Sequence, residues 1–238
     1  MASTFCSILT AYLLGEFIFR SKWIHVRKRR ARAAALRGAV VTLMSYLLLG
    51  NPHWQILLGI LATNTAMAAV EMRTSDSVVP FALEQCAYLL VLVGLAWRFP
   101  GAATEGWWFK TDLSKWYFAV LSCISGLVAC VPAGGILVGK FMLPFTDEVR
   151  NDDIAGLARG GRYIGWLERL LVLLLLMMDQ PNGIGFLIAA KSILRFGEIR
   201  ETGQRKVAEY IIIGTFASFG WVLFISVLTQ KAIKHWAP

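Results

Sequence analysis

The 238 residues are 57% hydrophobic and only 16% charged, with a mean hydropathy of +0.58 and a formal charge of +9. That composition lies outside the range of ordinary soluble domains and points to an all-α, polytopic transmembrane helical bundle. The excess of positive charge argues against a nucleic-acid partner here, because the basic residues stand in loops between apolar runs, where they orient a membrane protein and touch anionic lipid.

Residues 3–19 are largely apolar with Glu16 as their only charge, and a basic run, Lys22, Arg27, Lys28, Arg29, Arg30, Arg32 and Arg37, follows at once. A cleaved signal peptide has the opposite order, so this segment is expected to be retained as a first span. By the positive-inside rule residues 22–37 face the cytoplasm, against anionic lipid, and the N-terminus lies outside. Residues 38–49 and 54–70 are the next apolar runs, separated by Gly50, Asn51, Pro52 and His53. The first gives only about 18 Å of helix against a hydrocarbon core of about 30 Å, which predicts a short, tilted or re-entrant pair.

Residues 79–97 form a further predicted span. The loop from 98 to 115 holds Trp107, Trp108 and Phe109, with Trp116 just beyond, all expected as interfacial anchors. Residues 116–143 follow, kinked by Pro132 and offering Gly135-x-x-x-Gly139 for close helix contact. A polar loop from 146 to 162 precedes a helical hairpin over 163–195, and a last span covers about 209–230. The whole chain, 1–238, reads as one integral-membrane domain with an N-terminal half (1–97) and a C-terminal half (116–238). It has seven to eight spans, some short or re-entrant, in a bacterial inner membrane. The predicted outside loops hold only Arg98, Lys110, Lys115, Lys231 and Lys234, which supports this orientation.

The hairpin at 161–196, GRYIGWLERLLVLLLLMMDQPNGIGFLIAAKSILRF, organises the second half. Its turn is Asp179-Gln180-Pro181-Asn182-Gly183, which a continuing helix would not tolerate. Counted outward from Pro181, Glu168, Lys191 and Arg195 lie at similar depth, so either base is within reach of Glu168 across the hairpin. Together Glu168, Arg169, Lys191, Arg195, Glu198 and Glu209 form an intramembrane charge network. Its bland reading is a set of fold-specifying ion pairs and its sharper reading a headgroup or anion site.

A glycine, I-G-W-L-E-R, an aliphatic run, G-F-L-I-A-A-K-S-I-L-R-F, and A-E-Y-I-I-I-G-T at 208–215 carry a resemblance. This pattern resembles an uncharacterised family of bacterial integral-membrane proteins that share a domain of unknown function. Members begin with a histidine, then three residues, an acid, three residues and a glutamine, followed by a tryptophan and a lysine. They carry further histidines in the second segment, in an H-x-x-x-D motif and in a D-Q-x-x-H motif. The present chain keeps the frame and lacks the histidines. Tyr12, Glu16 and Arg20 occupy the first pattern, and Arg37 sits at the second histidine position. Asn64 and Ala68 replace H-x-x-x-D, and Glu84-Gln85-x-x-Tyr88 replaces D-Q-x-x-H.

These replacements are poor metal ligands, so no metal first shell is expected even if the relatives build one, and the resemblance implies a divergent member without catalysis. Tyr12, Glu16, Arg20 and Glu84 form a secondary polar cluster. It reads either as a structural ion pair of Glu16 with Arg20 near the cytoplasmic boundary or as a substrate or proton site. His25, His53 and His235 lie outside the predicted spans, which argues against haem ligation, and no cofactor is expected. Cys6, Cys86, Cys123 and Cys130 all fall in apolar segments and read as buried free thiols. The functional expectation is a non-catalytic accessory or scaffold subunit that packs against other membrane proteins or further copies of itself. The alternative is a membrane enzyme or transporter acting on a lipid headgroup or small anion.

Overall fold

The computed structural model describes residues 1–18, 27–71, 74, 77–110, 114–146, 160–196 and 205–236, with the backbone alone at 27–34, 110, 114–115, 194–196 and 205. Among these residues there is no strand. The helices are α1 (Ala2–Leu13), α2 (Arg27–Leu49), α3 (Trp54–Glu71), α4 (Val78–Arg98), α5 (Ser114–Val128), α6 (Gly134–Thr146), α7 (Gly160–Met177), α8 (Asn182–Phe196) and α9 (Arg205–Trp236). Two π turns join them: Leu14–Ile18 prolongs α1, and Ala129–Ala133 links α5 to α6. Three stretches are long and apolar enough to cross a membrane: Val78–Arg98, Trp116–Thr146 and Lys206–Trp236. Ala2–Ile18, Ala35–Leu49 and Asn182–Ile193 are apolar but shorter. The exterior is apolar, with Leu90, Trp97, Phe186, Ile193 and Phe216 all exposed, which is the surface expected of helices solvated by lipid.

The basic run was expected to precede the second apolar segment as a loop. Instead α2 begins at Arg27 and runs 23 residues, because its Arg, Lys and Ala residues are strong helix formers. The apolar portion Ala35–Leu49 is therefore the second half of a longer helix. Described by contacts, the chain packs as two compact units, Met1–Val128 with Lys231–Pro238, and Ala129–Gln230.

In the first unit α2 and α3 form a hairpin about Gly50, whose φ of 66° suits glycine. A Cβ on Gly15 would overlap Val41 Cγ2, so only glycine lets the π turn after α1 approach α2 this closely. Thr10 Oγ1 donates to Cys6 O at 2.7 Å and lies 2.8 Å from Ser125 Oγ, while Cys6 Sγ is 3.5 Å from Ser122 Oγ, which gives α1 and α5 a seam of small hydrogen-bonding residues. The C-terminal carbonyls of α2, left without helical partners, are capped by aromatics: Trp108 Nε1 donates to Leu47 O at 2.6 Å and the Tyr117 hydroxyl to Leu48 O at 2.6 Å. Trp108 thus serves as a cap instead of an outward anchor, whereas Trp107, Phe109 and Trp116 remain exposed.

In the second unit Pro132 lies inside the π turn, where its missing N–H breaks the helical ladder. Ala129 O accepts from Trp221 Nε1 at 2.9 Å. Cys130, Val172, Leu173, Ile184, Phe219 and Val222 form the core. The expected hairpin is present: α7 ends at Met177, α8 starts at Asn182, and Asp179 takes a left-handed φ of 53° in the turn. Of the glycine pair in α6, Gly135 lies close against the Arg169 and Trp166 side chains of α7, while a Cβ on Gly139 would meet nothing within 4 Å. The expectation of four buried thiols holds for Cys6 and Cys130. It is corrected at Cys86 and Cys123, which lie exposed on the outer faces of α4 and α5.

Candidate functional site

At one end of the first unit, the ends of α1 and α3 meet the first turns of the apolar parts of α2 and α4. The π turn brings Glu16 inward, where it is 8% exposed. Its described ion pair is with Arg37: Arg37 Nη1 donates to Glu16 Oε1 at 3.0 Å and Nη2 to Glu71 Oε2 at 2.5 Å. The expected Glu16–Arg20 pair falls outside the described residues at Arg20. Arg37 therefore bridges two helices other than its own. One guanidinium satisfying two carboxylates uses its planar fork, which a lysine lacks.

Beside this triad, the Tyr12 hydroxyl donates to Gln85 Oε1 at 2.6 Å, and Asn64 Nδ2 donates to the Tyr88 hydroxyl at 2.7 Å. The rings of Tyr12 and Tyr88 stack, with centroids 3.9 Å apart and planes at 18°. Glu84 acts electrostatically on both Tyr12 and Arg37, so it belongs to the same cluster. Tyr12, Glu16, Arg37, Asn64, Glu84, Gln85 and Tyr88, singled out in the sequence, are gathered by the fold into one site. The exception is Ala68, which has no polar atom to contribute.

The sequence reading missed Glu71 and the pairing role of Arg37. Glu71 carried a signal, since it is the acid that ends the apolar run of α3. The pairing of Arg37 was not legible, because it closes a run of like charges. Among the described residues no group of three or more His, Cys, Asp or Glu could hold a metal ion. Arg37, Tyr12, Tyr88 and Asn64 supply hydrogen bonding and charge neutralisation at the site, beside the carboxylates of Glu16, Glu71 and Glu84.

In the second unit Glu168, Arg169, Lys191 and Glu209 of the expected network lie among the described residues. Lys191 Nζ donates to Glu168 Oε2 at 2.6 Å across the α7–α8 hairpin, and both side chains are mostly buried. Lys191 also lies 5.8 Å from the centroid of the Phe219 ring, a cation–π contact. Arg169, on the adjacent face of α7, is 5% exposed and donates from Nη1 to Ser218 Oγ at 3.0 Å. Glu209 is exposed near the start of α9. The side chain of Arg195 and the whole of Glu198 lie outside the described residues.

The buried charges differ in how they are compensated. Arg37 and Lys191 face carboxylates at hydrogen-bond distance, whereas Arg169 has a neutral hydroxyl. Compared with models of known protein families, with curated proteins and with solved structures, the chain matches none of them.

Proposed function

We propose that this chain is a polytopic integral-membrane protein of the bacterial inner membrane, with seven to eight crossings and its N-terminus outside. In this reading it is a divergent member of the family that its motifs resemble and works as a non-catalytic accessory or scaffold subunit. The three long apolar stretches supply part of the crossings. Ala2–Ile18, Ala35–Leu49 and Asn182–Ile193, with α3 and α7, complete the bundle, and the basic residues of 22–37 rest against anionic lipid.

The observation that carries this reading is the Glu16–Arg37–Glu71 triad. It occupies the place where a reactive cluster would sit, yet it spends its one described cation on two structural carboxylates. Tyr12, Gln85, Asn64 and Tyr88 likewise satisfy one another. Groups engaged in this way hold helices in register and leave little free for chemistry. The exposed apolar faces of α4, α7 and α9 are then available to neighbouring membrane proteins or to further copies of the chain. Purification of a tagged chain in mild detergent tests this. A stoichiometric membrane partner or a defined homo-oligomer is the expected result, and a monodisperse monomer would remove the scaffold role.

A further inference from the structure

We draw no further inference here: the strongest candidate, the exposed apolar face of α9 on which Phe216 and Phe224 flank Gly220, carries nothing because nothing in the structure shows what covers it.

Discussion

Tyr12 on α1 and Tyr88 on α4 stack face to face, 3.9 Å between centroids, and each hydroxyl is engaged by an amide side chain from α4 or α3, Gln85 and Asn64 respectively. The pair ties three helices together through two rings and two hydrogen bonds. Tyr88→Phe keeps the stack but leaves the buried Asn64 amide with one partner fewer, which is expected to cost about 1–3 kcal/mol. Tyr88→Leu should cost more by also removing the stack. Thermal unfolding in detergent measures both, and a Phe variant as stable as wild type would show that the hydroxyl contributes nothing.

Arg37→Met leaves Glu16 and Glu71 facing one another without their shared cation. The expected loss is on the order of 3–5 kcal/mol, with the lower end favoured because the Glu71 side chain keeps 31% of its exposure. A triple variant, Arg37→Met with Glu16→Gln and Glu71→Gln, should recover most of it. Melting temperatures of the single and triple variants decide the matter. Equal destabilisation in both would mean that Arg37 acts through packing and not through charge.

The Glu168–Lys191 pair offers a double-mutant cycle across one hairpin. Glu168→Gln and Lys191→Met are each expected to destabilise by about 3–5 kcal/mol, and the double variant to lie close to wild type, since no uncompensated charge is left. Additive losses in the double variant would contradict a coupled pair.

Orientation is testable in intact cells. With the native cysteines replaced, Lys110→Cys is expected to react with an impermeant maleimide and Arg29→Cys is not. The opposite labelling pattern would turn the whole topology over.

The resemblance of the motifs fixed which residues to watch in the N-terminal half but not how they meet. Tyr12, Glu16 and Glu84 were legible as polar residues in apolar runs, because a charge at that depth is costly enough to mark itself. Their partners were not. The base one helical turn on, Arg20, lies outside the described residues; the described partner of Glu16 is Arg37 on α2, and a π turn with Gly15 against Val41 is what permits that approach. No local periodicity encodes such a contact, since it depends on how closely two backbones pack.

The hairpin shows the division from the other side. Asp179, Pro181 and Gly183 break the helix by their own backbone chemistry, and counting residues from that turn put Glu168 level with Lys191; local geometry and chain length alone determine such a pairing. Arg169 adjoins Glu168 in sequence and carries the same kind of charge as Lys191, yet it sits a third of a helical turn away, against Ser218, Gly134 and Gly135. Composition and the charged turns of this chain determined that it is helical and apolar enough for a membrane and where its hairpin closes. Which anions Arg37 meets was decided only by tertiary packing, because compensation of its charge depends on neighbours within a few ångströms, and Glu16 and Glu71 come from other helices.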